Sequence, residues 1–175
     1  GSMPTDKFES MLQSIRVPIW LTGTTQVYVA PDGVDSAADG RGFSTAKPWA
    51  TLQYALNYMA TNYNLGSYVL YVNVAAGEYG TARSESVQPI VLPAFTNISG
   101  TVVIRGAGMD QTVLHGYFVN RNASTNTYHI RDLTIKQDTT STSSYIYCIT
   151  LEYEAHVQCQ RVHFFFDPAE GKTNL

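Results

Sequence analysis

The feature that most constrains this chain is a pattern that recurs four times in its second half. "VNVAAGEY" begins at Val72, "VVIRGAGM" at Val102, "YHIRDLTI" at Tyr128 and "VQCQRVHF" at Val157. Written one beneath another, they put Val72, Val102, Tyr128 and Val157 in one column. Val74, Ile104, Ile130 and Cys159 fill a second, and Tyr79, Met109, Ile135 and Phe164 a third. The rows start 30, 26 and 29 residues apart. A period of this size marks a stacked architecture in which each repeat covers the next.

Within a row, apolar and polar residues alternate, so the first and third side chains face inward. After the fourth residue the phase reverses, and the sixth and eighth face inward instead. These are Ala107 and Met109, Leu133 and Ile135, and Val162 and Phe164. One residue with a left-handed or bridging backbone accomplishes the reversal. Gly106 and Asp132 suit that position; Arg161 and Ala76 suit it less, and Gly77 takes the role if the first row slips. Two short strands meeting at an angle, repeated at this period, describe a coil of a right-handed single-stranded parallel β-helix, an all-β fold. The predicted coil interior is Val72, Val74, Val102, Ile104, Ile130, Leu133, Ile135, Val157, Cys159, Val162 and Phe164.

A stack has an open end, and unpaired backbone there recruits other strands. The segment before the repeats supplies a cover. "QVYVA" alternates as a strand, and "PDGVDSAADGRG" is a loop by composition. From about Lys47 to Tyr63 the apolar spacing is helical, with Trp49, Leu52, Leu56 and Met59 on one face and Gln53 and Asn57 opposite. The sequence therefore predicts an N-terminal capping α-helix laid on Val72 and Val74. The strand Val27–Ala30 is predicted to extend the first coil.

Three segments precede or contain these elements. Residues 1–2 read as an expression scar. Residues 3–24 hold a short helix candidate, capped by Thr5 or Asp6, with Phe8, Met11, Leu12 and Ile15 at helical spacing, ended by Pro18. It is either packed on its own domain or an attachment and oligomerisation segment. Residues 25–67 form the strand, loop and capping helix, and residues 68–175 the coils. Val162 and Phe164 have no further row to cover them, so the chain is predicted to be an N-terminal fragment, or to be covered there by a trimer partner.

Composition narrows the function classes. Of 175 residues 14% are charged, against about 25% in ordinary soluble proteins. Lys and Arg total 11, Tyr alone 12, and the formal net charge is -3. The surface is therefore built from hydroxyls, amides and tyrosine, which suits a sugar-facing protein. No basic run exists to neutralise phosphates, which argues against nucleic-acid binding. No apolar run reaches the roughly 18 residues of a membrane span. The start carries acids where a signal peptide has a basic region. Cys148 and Cys159 are too few for a disulfide scaffold and read as two buried thiols, with one bridge as the alternative.

The stretch "VYVAPDGVDSAADGRGFSTAKPWATLQYALNYM", followed by "VNVAAGEY" and "VVIRGAGMDQTVLHG", resembles the opening of pectin-lyase-like β-helix proteins of bacteriophage and prophage tails. The start "FESMLQSIRVPIWLTG" is similar to tail-fibre and tailspike N-termini. The resemblance spans roughly residues 8–136. It implies a homotrimer at a tail tip, bound to other tail proteins and facing host-surface polysaccharide; no cofactor and no nucleic-acid or membrane partner is expected. It also implies assembly in the host cytoplasm and release by lysis. Some members degrade the polysaccharide, so a lyase or glycoside hydrolase is the alternative. A bacterial surface adhesin is a third, disfavoured without an export signal.

Candidate chemistry is sparse. Glu152 and Glu154 stand two apart in "LEYEAHV", a separation of roughly 6.5–7 Å on a strand face. That is the low edge of the roughly 6.5–9.5 Å of an inverting glycosidase pair; the plainer reading is two outward residues. Asp32, Asp35 and Asp39 suggest calcium, but their spacing does not match the alternate-residue ligands of an EF-hand loop, and Asx turns with helix capping are the competing explanation. Asp132 and Arg161 share a column and read as an ion pair across adjacent rows, or as a lyase-like Arg base. His115, His129, His156 and His163 scatter over the rows, and two near one another make a poor zinc site. The loops "NRNASTNT" and "QDTTSTSS" either touch glycans or are simply solvated.

Overall fold

Each strand of this protein finds its neighbours far along the chain, side by side and in the same direction. The computed structural model describes residues 4–5, 7, 17–81, 89–96, 99–122, 127–137, 148–153 and 155–166. In chain order the strands are β1 (Ile19–Trp20), β2 (Thr25–Val29), then β3 (Tyr63–Asn64), β4 (Val69–Val74), β5 (Gly77–Tyr79) and β6 (Pro89–Val91). There follow β7 (Thr101–Gly106), β8 (Thr112–His115), β9 (Tyr117–Asn120), β10 (Thr127–Gln137), β11 (Ile149–Leu151) and β12 (Val157–Phe166). One helix, α1 (Leu52–Asn62), separates β2 from β3. Of the predicted N-terminal helix, Thr5 and Lys7 are helical, and Phe8, Met11, Leu12 and Ile15 lie outside the described residues.

The fold is all-β, built on a curled parallel sheet of seven strands in the order β2-β4-β7-β10-β8-β5, with β12 also on β10. The long strand β10 sets the curl. Thr127–Arg131 pair with Thr101–Arg105 of β7, while Thr134–Lys136 pair with Val113–His115 of β8. Along its other edge β12 runs in register from Tyr128↔Val157 to Gln137↔Phe166. A second parallel sheet, β11-β9-β6, and the pair β1-β3 complete the strands.

The bends fall where a left-handed backbone appears. Gly77 has φ 140°, Asp132 φ 59° and Arg161 φ 51°. Gly106 is not among the positive-φ residues. Its need for glycine is spatial: a Cβ there would stand 2.2 Å from the Asp132 carbonyl oxygen.

All three columns differ from the sequence alignment. Leu70, not Val72, stands opposite Val102, and Val72 stands opposite Ile104. Side chains alternate with period two, so a slip of two keeps Val72 and Val74 inside. Both are buried. In the third column Leu114, not Met109, joins Tyr79 and Ile135. The strand breaks after Gly106 into a turn closed by Gln111 N–H donating to Gly108 O (3.1 Å). Met109 lies in that turn, 41% exposed.

The apolar core joins Val27, Val29, Leu70, Val72 and Val74 to Leu52, Ala55, Leu56 and Met59 of α1. Burying Leu56 and Met59 stabilises by about 1.5–3 kcal/mol each. Val102, Ile104, Tyr128, Ile130, Leu133 and Ile135 continue the core up the stack. Helix α1 starts at Leu52, five residues later than the spacing predicts. Trp49 is fully buried but extended: its N–H donates to Tyr28 O (3.0 Å) and its carbonyl accepts from Ala30 N–H (2.9 Å). Backbone committed to β2 cannot also wind into a helix. The Gly42 carbonyl takes the Tyr28 N–H (2.8 Å), so the loop closes the free edge of β2.

The opposite edge is different. Among the described residues no strand pairs with the far side of β12. Cys159 and Phe164 are exposed, and Val157 and Val162 half-buried, although each stands opposite a buried residue of β10. They face the interior side of the sheet, and among the described residues no further strand lies above them. Cys159 is therefore not a buried thiol, and it forms no bridge with Cys148.

Candidate functional site

Alternation that buries one face of the sheet aligns the other face outward in columns. One outer column reads Tyr28, Asn73, Arg105, Arg131 and Gln160 across β2, β4, β7, β10 and β12. The next reads Gln26, Tyr71, Val103, His129 and Gln158. This face therefore presents amides, tyrosines, two arginines and a histidine, and neither column holds a carboxylate.

The two columns are knitted together. Arg105 donates from Nε (3.0 Å) and Nη2 (2.6 Å) to the Asn73 Oδ1. The Asn73 amide in turn donates to Gln26 Oε1 and to the Val27 carbonyl, both at 3.2 Å. The Arg105 guanidinium stands 4.8 Å from the centre of the Tyr71 ring, and that of Arg131 stands 5.8 Å from it. Cations over a ring face are attracted by its quadrupole. The Nε of Arg131 is buried and has no hydrogen-bond acceptor. At the end of the first column lies an open cavity of about 260 Å³, lined by Tyr28, Asn73 and Arg105 and by Thr45 and Pro48 of the loop before α1.

At the bend, Arg161 donates from Nε to Asp132 Oδ1 and from Nη2 to Oδ2 at 3.0 Å. That hydrogen-bonded guanidinium holds the Asp132 carboxyl below its ordinary range. Asp132 and Arg161 thus meet across rows as the alignment places them, in a two-pronged pair that occupies the carboxylate.

The other candidates are dispersed. Asp35 accepts from Ala50 N–H (2.8 Å), Thr51 N–H (3.0 Å) and the Thr51 hydroxyl (2.7 Å), which makes it a clamp on the entry to α1. Asp39 lies in a short 3₁₀ turn with φ 58°. Asp32 lies near Tyr79, whose hydroxyl donates to Ala75 O (2.9 Å) and is pushed up to about 12 by burial and then by that carboxylate. Among the described residues no three His, Cys, Asp or Glu gather as metal ligands. Glu152 follows the end of β11 and pairs with Arg121 (3.1 Å); it is not on a strand face, and Glu154 lies outside the described residues. The loops at 123–126 and 138–147 are likewise outside them.

His115 was not singled out by its spacing, yet its Nε2 is 3.3 Å from Glu78 Oε2 in a second cavity of about 410 Å³ between α1 and β5, β6 and β8. The sequence reading also missed Arg105 and Arg131. Their signal was present: "VVIR" and "YHIR" put an arginine at the fourth position of consecutive rows. No described helix is long and apolar enough to cross a membrane. Comparison of the chain with protein-family models, with curated proteins and with solved structures found no match.

Proposed function

We propose that this chain is a structural and adhesive part of a phage or prophage tail, a fibre or spike that meets host-surface polysaccharide. In this reading the curled sheet is the start of a right-handed parallel β-helix, the protein is a homotrimer bound to other tail proteins, and it resides in the virion tail. The observation that carries the reading is the outer face of the stack. Its columns offer Tyr28, Gln26, Asn73, Tyr71, Arg105, Arg131 and His129 in a regular ladder. Amide and guanidinium donors beside aromatic rings are the groups that hold sugar hydroxyls and ring faces, and a ladder of them matches a repeating polymer.

The first test is the solution mass by light scattering after size exclusion. A mass near three times 19.3 kDa supports the trimeric tail reading; a monomer removes the trimer from it. A glycan array then tests adhesion directly. Binding that disappears in Tyr71→Ala supports the outer face as the contact; binding that survives it places the contact elsewhere.

Cleavage of the polysaccharide is the second reading, and the Glu78–His115 pair in its cavity is what favours it. A carboxylate beside an imidazole can move a proton. Loss of reducing-end release in Glu78→Gln would support it, and no release by the unaltered chain would end it.

A further inference from the structure

The outer face carries a charge imbalance that structural packing does not explain. Arg105 and Arg131 stand opposite one another on adjacent parallel strands, so their backbones are about 4.8 Å apart. Like charges on neighbouring strands repel unless an anion lies between them. Here Arg105 directs two donors to a neutral amide oxygen. Arg131 keeps a buried Nε with no acceptor. Asp132, a carboxylate beside the ladder on which Arg131 and Arg105 also act, is taken by both prongs of Arg161. Across three rows, Arg105, Arg131, Asp132 and Arg161 therefore bring together three cations and one anion on a chain whose formal net charge is -3.

We infer that the Arg105–Arg131 pair is a subsite for an acidic sugar unit, one bearing a carboxylate or a sulfate, so that the face selects anionic over neutral polysaccharide. This rests on the reading of the outer face as a glycan contact. The Nε side of Arg105 is taken by Asn73 and the Nε of Arg131 is buried, so an oxyanion is met by the remaining Nη–H groups through charge-assisted bonds, which suit both a carboxylate and a sulfate. The Tyr71 ring centre lies 4.8 Å and 5.8 Å from the two cations. The cavity beside Arg105, about 260 Å³, is smaller than the roughly 300 Å³ at which drug-sized pockets begin. It fits a single sugar residue of a chain that continues along the surface.

Three polymers with one backbone separate the possibilities: dextran, carboxymethyl-dextran and dextran sulfate. Binding of the full chain is measured by titration calorimetry at low and high salt. The charged polymers should bind and dextran should not, with affinity falling as salt rises. Arg105→Gln and Arg131→Gln should each lose roughly tenfold or more, consistent with loss of a charge-assisted contact. Arg121→Gln, a surface arginine paired with Glu152, should bind as the parent does. The stronger of the two charged polymers identifies the oxyanion. Arg105→Lys keeps the charge and loses the fork, and should fall between parent and Gln; it serves if Arg131→Gln does not fold. Equal binding of dextran and the charged polymers overturns the inference and leaves the glycan reading standing. Unchanged binding in both Gln variants overturns it, as does equal displacement by single-stranded DNA, which would mark a generic polyanion contact. No binding to any glycan on the array removes both the inference and the reading beneath it.

Discussion

At the scale of single residues, Asp132 meets two demands at one position. Its backbone sits at φ 59° and its carboxylate holds Arg161 across the row. Asp tolerates the left-handed region better than most side chains, while a β-branched residue does not. Asp132→Val should cost about 1–2 kcal/mol more in urea unfolding than Asp132→Gly, which loses the ion pair but keeps the bend. The lowered carboxyl adds a pH signature. A group whose folded value lies below its unfolded value stabilises the fold above the unfolded value, and that contribution is lost as pH falls through the folded one. The midpoint should therefore decline below about pH 4, and Asp132→Asn should flatten that part of the curve. The thiols give a second residue-level prediction. Burial pushes Cys148 up to about 11, and it is enclosed, whereas Cys159 is exposed. Alkylation of the native protein, read by mass spectrometry, should modify Cys159 first; reaction of Cys148 first would contradict the burial.

Among the elements, α1 shows how a short loop can fix where a helix begins. Asp35 satisfies two backbone N–H groups and a hydroxyl at the helix entry, and Thr51 accepts from Tyr54 N–H at 3.2 Å. Asp35→Ala should destabilise by about 1–2 kcal/mol, as loss of a helix cap does; an unchanged thermal midpoint would mean the clamp is dispensable. The apolar face of this helix was legible in the sequence because period 3.6 is unmistakable over Leu52, Ala55, Leu56 and Met59. Its start was not legible, because Trp49 fits the helical face and the β2 edge equally well. The rows follow the same logic. Their periodicity exposed the parallel stacking and the Asp132–Arg161 contact. The two-residue offset of β4 stayed hidden because "VLYVNV" places Leu70, Val72 and Val74 on one face, and any of them can head the row. The turn at 107–111 stayed hidden because Gly106 and Gly108 read as a kink. On the outer face, a search for acids passed over the cations at the fourth position. Gly106→Ala should be poorly tolerated, losing about 1–3 kcal/mol through overpacking against the Asp132 carbonyl; parent-like stability would show that the strands can separate there.

For the whole molecule, the way β10 joins two strands at once governs how the fold can be reached. No two strands among the described residues pair nearer than 21 residues along the chain, the separation of Val113 from Thr134, and the single bridge from Val29 of β2 to Trp49 spans 20. Every pairing therefore requires closing a long loop before any contact rewards it. Before β10 docks, β7 and β8 are held by the turn between them and, on their other edges, by β4 and β5 in turn. Its docking aligns β7 through Arg131 and β8 through Lys136 in a single event. Refolding should consequently be slow, in milliseconds to seconds rather than microseconds. Stopped-flow fluorescence should show that truncating Ile130 or Ile135 retards folding, while truncating Leu56 in α1 mainly hastens unfolding. The strand that gives the sheet its curl is then also the one that locks two earlier strands against each other from the far side.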